Sequence, residues 1–361
     1  MKNYLLIFLI SVFIFLFFDF TLGNKILDFL HDKEIILSEE KRLLAIKKTR
    51  KEERKYRIKN EFYHHTLRPN IKIKSVWGSR KYNTCTDNNG FREQCDIKNG
   101  KEKNIILIGD SFVEGIGLDY EKTFAGMFSQ EMNYRVYNMG VSSYSPVIYK
   151  NKIFHFIENG LNIKDVIVFI DISDIDDEAN NYVECEKKVC SKNSFDDNSQ
   201  QKVKKITKNF PIFDLIKLSI KRIKRTIKPK IYIYRKDFVR SNWTFIEETK
   251  NIKLGVKNSL YHMNELYKYL EKKDISLSVA VFPHPGQILH DKKNSKQVNL
   301  WKDFCIDKCK YFINYFPIFF DELENLKPKK LIKKYYIKND IHYNHKGNIK
   351  LFEELRNLNF N

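Results

Sequence analysis

An α/β fold built on a mostly parallel sheet is the class this sequence predicts, and three observations carry it. Short apolar runs at Ile105–Ile108, Tyr134–Asn138 and Asp165–Ile170 alternate with helical periodicity at Glu121–Met132 and Pro146–Asn159. The alternation resumes late, with helix Val256–Lys272, strand Ser276–Phe282, a helix around Val298–Phe304 and a last helix from about His345 to Leu355. Strands alternating with helices indicate βαβ units. Hydrophobic residues make up 42% of the 361, with 28 phenylalanines, which is enough apolar surface for a substantial core.

The elements ahead of this alternation read differently. After Met1-Lys2-Asn3 the chain is apolar from Tyr4 to Leu22, interrupted by Ser11 and Asp19. That is close to the length that crosses a bilayer. No small-x-small cleavage site follows, so residues 1–24 read as an uncleaved signal anchor rather than a buried helix. Its orientation stays open: Lys2 and the terminal amine favour an inside N-terminus, and the basic stretch Lys41–Lys59 favours the reverse. Residues 25–70 read as a charged helical stalk, closed by "YHHTLRPN" with its proline stop. The domain then runs over 71–361 and carries an insertion around 184–248. Within the insertion, "SKNSFDDNSQQ" is polar, and "IKLSIKRIKRTIKPK" is basic and amphipathic, a solvated cover helix or a membrane-surface segment.

The formal charge of +20 points to anionic partners in general. Lysines are spread along the whole chain, and no finger, RNA-recognition or helix-turn-helix pattern focuses them, so nucleic acid is not expected. The six cysteines fall as three local pairs, Cys85 with Cys95, Cys185 with Cys190 and Cys305 with Cys309. Even number and close spacing predict three short disulfide loops in an oxidising compartment; six thiols are the alternative. The cysteine spacings do not look like zinc sites and no histidine accompanies them at ligand spacing; His64 and His65, beside a helix end, read as surface or packing residues rather than ligands. With the anchor, this places the folded bulk in the periplasm or outside the cell.

Candidate chemistry collects at the strand ends. "NIILIGDSFVEGIGL" puts Gly109, expected to allow a turn that a Cβ disfavours, and then Asp110 and Ser111 after the first strand. "NMGVSSYSP" puts Gly140 after the second, and "FIDISDIDDEANNY" puts Ser173 and Asp174 after the third. Near the C-terminus, "NDIHYNHKGN" sets Asp340 two residues before His342, a spacing that lets a carboxylate hold an imidazole whose other nitrogen faces a serine. "VFPHPGQI" makes His284 a candidate to line a substrate pocket, with a rigid proline-bounded loop as the alternative. Asp110 and Asp174 read as structural, and Asp171, Asp176, Asp177 and Glu178 as a solvated loop or helix start rather than a cation site.

Together these stretches resemble the SGNH (GDSL-like) hydrolase family, in its membrane-anchored bacterial envelope branch. "GDSF" is similar to the first block, "NMGVSSYSP" to the second, and "DIH" to the last in its shortened Asp-x-His form. "TDNNGFREQ" is similar to the Asn-x-x-Gly-Phe-Arg segment that precedes the first block in envelope members, with Asp87 in the Asn place. The third block departs from the family's Gly-x-Asn-Asp: here Ser173 stands where the Asn oxyanion donor belongs.

The resemblance implies a flavodoxin-like three-layer fold with Ser111 as nucleophile, His342 as base and Asp340 as its partner. The oxyanion donors it implies are Ser111, Gly140 and Ser173, the last either a donor or a simple cap. No metal or cofactor is implied. The expected activity is a serine esterase or acyl transferase acting on an acyl ester, expected to be O-acetyl, of an envelope or extracellular glycan. The partners expected are the acylated glycan, the inner membrane through the N-terminal helix, and a membrane acyl-donor protein. The alternative is a glycan-binding or assembly protein that keeps the fold with a weakened third block.

Overall fold

A computed structural model describes residues 2–32, 53, 55–77, 80–96, 103–132, 134–186, 188–192, 212–213, 216, 242–246, 248–338 and 340–360. Residues 33–52 and 54 of the expected stalk lie outside these residues, as do the two singled-out insertion stretches apart from Ser191, Lys192 and Ile216. The chain divides into two compact units, residues 1–50 with 194–232, and residues 51–193 with 233–361.

The first unit contains α1 (Lys2–Asp32). Its segment Tyr4–Gly23 is long and apolar enough to cross a membrane, with a mean hydropathy of 2.7. Asp19, the one charge in that run, is buried, and its carboxylate accepts the backbone N–H groups of Ile212 and Phe213 at 2.7 and 2.8 Å. A buried carboxyl group so placed has its hydrogen bonds met within the unit.

The second unit is organised on an eight-stranded sheet. Its strands are β3 (Lys72–Trp77), β4 (Arg80–Thr86), β5 (Arg92–Glu93), β6 (Lys103–Ile108), β7 (Tyr134–Asn138), β8 (Asp165–Ile170), β11 (Ser276–Val281) and β12 (Tyr311–Asn314). The order is β12-β11-β8-β6-β7-β5-β4-β3. The five strands from β12 to β7 are parallel and β5, β4 and β3 run antiparallel to their neighbours. In chain order the parallel part reads 2-1-3-4-5, the flavodoxin-like winding, whose switch point lies between β6 and β8.

Side chains alternate across this sheet because successive Cβ atoms point to opposite faces. Ile106, Ile108, Val166, Val168, Val279 and Val281 join one core cluster, and Ile105, Leu107, Ile167, Phe169 and Ala280 the other. Helices α4 (Pro146–Glu158), α6 (Lys250–Glu271) and α8 (Lys296–Cys305) cover the first face, and α3 (Phe124–Glu131) and α11 (His345–Arg356) the second. Thr123 caps α3 by accepting the Gly126 N–H, which separates it from the single 3-10 turn Tyr120–Lys122 that the sequence reading merged with it.

Two elements differ from expectation. Residues 57–67, assigned to the stalk helix, form a hairpin of β1 (Arg57–Asn60) and β2 (His64–Leu67). The Asn60 side chain accepts the Phe62 and Tyr63 N–H groups to make its turn, and Tyr56, Tyr63 and Leu67 bury themselves in the first core cluster. The folded unit therefore begins near residue 51 rather than 71. A second hairpin, β9 (Tyr182–Cys185) with β10 (Lys188–Ser191), stands where the insertion was expected to start.

Three disulfides join Cys85 to Cys95, Cys185 to Cys190 and Cys305 to Cys309, leaving no free cysteine. Maleimide labelling of the native protein without reductant is expected to modify no cysteine, and labelling after denaturation and reduction all six. Native labelling of the six would contradict the pairing.

Candidate active site

The first strand end is built by close approach. A Cβ on Gly109 would sit 2.5 Å from Val113 Cγ2 and 2.8 Å from the Phe169 carbonyl oxygen. Gly109 is not among the left-handed glycines, so what it supplies is space between β6 and β8 rather than the turn conformation expected from the sequence. Asp110 then caps the one-turn helix α2 (Ser111–Glu114), accepting the Phe112 N–H at 3.0 Å, and Gly115 at φ 73° stops it. Ser111 is the first residue of α2, so its N–H has no helical partner. Buried Arg92, from the segment upstream of β6, donates to the carbonyls of Glu114, Gly115 and Leu118 and pins the turn that follows.

The C-terminal loop between α10 (Pro328–Tyr335) and α11 brings His342 to this serine. His342 Nε2 lies 2.8 Å from Ser111 Oγ, and His342 Nδ1 lies 2.5 Å from Asp340 Oδ1. The same Oδ1 accepts the His342 backbone N–H at 3.0 Å, so one carboxylate oxygen fixes both main chain and ring. With Nδ1–H on the carboxylate, Nε2 is the nitrogen that faces the serine. Burial disfavours the imidazolium, but Asp340 outweighs it and raises the His342 pKa. Asp340 itself is held at about 2, against its burial, by His342 and by the donor on its other oxygen.

That donor is Trp77, at the end of β3, which sequence reading missed. Its Nε1–H donates to Asp340 Oδ2 at 2.8 Å, and its ring meets the His342 imidazole edge-on at 5.1 Å. A lone Trp far upstream offers no pattern to find it by; only the antiparallel extension of the sheet carries it there. Hydrogen bonds to a charged partner are worth about 1.5–3 kcal/mol. Trp77→Phe is therefore expected to lower kcat on a simple ester at least about tenfold, with KM nearly unchanged, in steady-state kinetics. An unchanged kcat would remove Trp77 from the account.

The second strand end packs against α2. A Cβ on Gly140 would lie 2.6 Å from Val113 Cβ and 2.7 Å from the Glu114 nitrogen. The Gly140 N–H donates to Asn138 Oδ1 at 3.0 Å, while Asn138 Nδ2 donates to the Val113 carbonyl at 2.7 Å. The loop is clamped from below. Glu114, both of whose carboxylate oxygens accept from Arg57 Nη2 at 2.8 Å, also accepts the Ser142 N–H at 2.8 Å, and the His65 ring bonds the Ser142 carbonyl at 2.9 Å. Lys152, fully buried with its pKa lowered by burial to about 7, donates to the Met139 carbonyl at 3.0 Å. None of these clamping residues was legible as such, because each comes from a different element.

The third strand end is a buried acidic knot. Asp171 Oδ1 accepts the Ser173 N–H at 2.5 Å, the Ser173 hydroxyl also bonds this carboxylate, and Asp171 Oδ2 lies 2.6 Å from His284 Nε2. His284, expected to line a pocket, is 1% exposed and held on Asp171, behind the Phe112 ring that it shares with His342. Ser173, expected as an oxyanion donor, likewise spends its hydroxyl on Asp171. Asp174 Oδ2 accepts the Tyr149 hydroxyl at 2.8 Å and the Asp171 N–H at 3.2 Å, in keeping with a structural part. Glu178 is buried rather than solvated: it accepts from Ser145 Oγ and the Val147 N–H at the start of α4 and pairs with His262. Among the described residues no group of three His, Cys, Asp or Glu could hold a metal.

The fold and site thus define a Ser–His–Asp constellation at the switch point of an open α/β sheet, an arrangement able to withdraw a proton from a buried hydroxyl. No family model and no curated protein matches the chain. Among solved structures it is similar to a catalytic mutant of an acetylxylan esterase from Geobacillus stearothermophilus, at 12% identity and a TM-score of 0.40 over 73% of this chain and 98% of that one. It is similar also to a member of the lipolytic G-D-S-L family from Veillonella parvula, at 9% identity and 0.37 over 71% and 98%. A third is a psychrotrophic esterase from Pseudoalteromonas, at 10% and 0.38 over 71% and 96%. At this distance the likenesses carry no functional argument of their own.

Proposed function

We propose that the protein is a serine ester hydrolase or acyl transferase of the SGNH type, working through an acyl-serine. The observation that carries this reading is the unbroken chain Asp340–His342–Ser111, with contacts of 2.5 and 2.8 Å. Ser111 Oγ attacks the ester carbonyl as its hydrogen passes to His342 Nε2, and the same hydrogen then goes to the leaving alkoxide. Asp340 keeps the ring in the required tautomer and stabilises its charged form. The oxyanion is assigned to the N–H groups of Ser111 and Gly140, the latter shared with Asn138; Ser173, occupied by Asp171, drops out of that set.

The substrate proposed is an O-acetyl ester on an envelope or extracellular glycan, or an acetyl group delivered by a membrane acyl-donor protein; the acetyl-Ser111 is then resolved by water or by a second sugar hydroxyl. The motif resemblance supports this, as do the apolar helix Tyr4–Gly23 as a tether and the three disulfides as marks of an oxidising compartment. Placement of the second unit in the periplasm or cell exterior is part of the same proposal. One observation favours the second reading, a glycan-binding or assembly protein: the third block has lost its Asn donor, a change typically costing about 10²–10³ in rate. The two separate by incubating the full-length chain in detergent with O-acetylated polysaccharides and measuring free acetate and acetyl transfer. Turnover supports the enzyme; retention of an acetylated glycan without turnover supports the binder.

A further inference from the structure

Ser111 has one hydroxyl hydrogen and two acceptors within reach of it. Its Oγ lies 2.8 Å from His342 Nε2 and 3.0 Å from Asp110 Oδ2. A hydroxyl donates once and can accept from others. For both contacts to be hydrogen bonds, one of the two partners must therefore donate to Oγ. With Asp110 ionised, the donor is a protonated His342, and the serine hydrogen lies on Asp110, away from the base. With Asp110 protonated, the carboxylic acid donates to Oγ, and the serine hydrogen lies on a neutral His342. The two arrangements hold the same number of protons and differ by one proton moved between His342 and Asp110.

We propose that Asp110 works as a carboxylic acid, donating to Ser111 Oγ and so directing the serine hydrogen onto His342; this rests on the serine-nucleophile reading above. Asp110 Oδ1 is committed as the cap of α2, accepting the Phe112 N–H, so Oδ2 is the oxygen that carries the hydrogen. The groups acting on this carboxyl come from every wall of the site: Asp171 and Asp174 beyond β8, Tyr149 of α4, His284 beyond β11, and His342 of the C-terminal loop. Burial first, and then Asp171, push Asp110 up to about 7, with His342 and His284 pulling the other way. Asp171 remains the negative neighbour because His284 holds it ionised against its burial. Asp110 is thus both a cap and a positioning residue for the nucleophile.

In the acylation step the Oγ–carbon bond forms, the carbonyl π pair moves to oxygen, and the serine hydrogen goes to Nε2. When the tetrahedral species collapses, the carbon–alkoxide bond breaks and Nε2 returns that hydrogen to the alkoxide. Asp110 keeps its own proton throughout. The Asp110–His342 pair must hold one proton to be reactive. Two protons block the base, and none leaves the serine hydrogen contested. Reactivity is therefore bell-shaped, with both limbs belonging to the pair and the alkaline one present only while position 110 can lose a proton.

Asn at position 110 imitates the protonated acid: its oxygen can accept the Phe112 N–H, and its NH2 can donate to Oγ at every pH. The test is the pH dependence of the rate at which a fluorophosphonate probe modifies Ser111 in the full-length chain. The parent is expected to lose reactivity on the alkaline side. Asp110→Asn is expected to react within about tenfold of the parent's optimum and to hold that rate as pH rises. Asp110→Ala, lacking donor and cap, is expected to be slow throughout. A parent with no alkaline limb, or an Asn variant of unchanged melting temperature that keeps the limb or reacts as slowly as the Ala variant, would overturn the inference alone. A parent that never reacts would overturn the serine-nucleophile reading itself.

Discussion

Ser111→Ala is expected to lower ester turnover by at least about 10⁴-fold, because single losses from a concerted triad remove nearly all of its catalysis. The fold is expected to survive. Among the described residues the Ser111 side chain bonds only Asp110 and His342, while the turn that presents it is held by the Asp110 cap on the Phe112 N–H and by Arg92. Hydrolysis of a chromogenic acetate and a thermal melt, run on the same preparation, separate the two effects. Parent-like hydrolysis would show that another group is the nucleophile.

Asp340→Asn is expected to reduce kcat by about 10⁴-fold at constant fold. Asp340 accepts three hydrogens: from the His342 ring and backbone on Oδ1, and from Trp77 on Oδ2. An Asn offers one acceptor oxygen, so its NH2 must face either the indole N–H or the His342 donors, and the ring loses its imposed tautomer. The sign of the pH effect follows from the same carboxylate. Asp340 raises the His342 pKa, so removing its charge lowers that pKa, and the acid limb of the remaining activity moves to lower pH. A pH–rate profile of the variant reads this directly. An acid limb unchanged in position would mean that His342 is not the group that sets it.

The parallel part of the fold was legible because Ile105–Ile108 of β6 and the whole of β8 are buried on both faces and so read as continuous apolar runs, while β7, with Arg135 exposed, was placed by its position between two helical segments. The expected bounds Tyr134–Asn138 and Asp165–Ile170 match the strands. β12 and the antiparallel strands β3 to β5 were not, because edge strands such as Lys72–Trp77 mix exposed lysines with half-buried residues and lack a clean period. The hairpin of β1 and β2 hid inside a charge-dense stretch whose buried Tyr56 and Tyr63 stand seven apart, a spacing that a helix also gives. Ser111, Asp340 and His342 were recognisable from local motifs, and the structure brings them together across 231 residues. Trp77, Arg57, Glu114 and Lys152 were not, since each acts through contacts with other elements made only in three dimensions. Ser173 and His284 were placed by analogy of position, and the carboxylate of Asp171, standing where the resemblance expects glycine, draws both of them.

The most direct test of an activated Ser111 is modification of the full-length, oxidised protein with a fluorophosphonate probe, followed by peptide mass analysis. One labelled residue is expected, Ser111, with labelling lost in His342→Ala. Labelling elsewhere, labelling that persists in His342→Ala, or none at all in folded protein would contradict it, and the last of these would favour the binding protein.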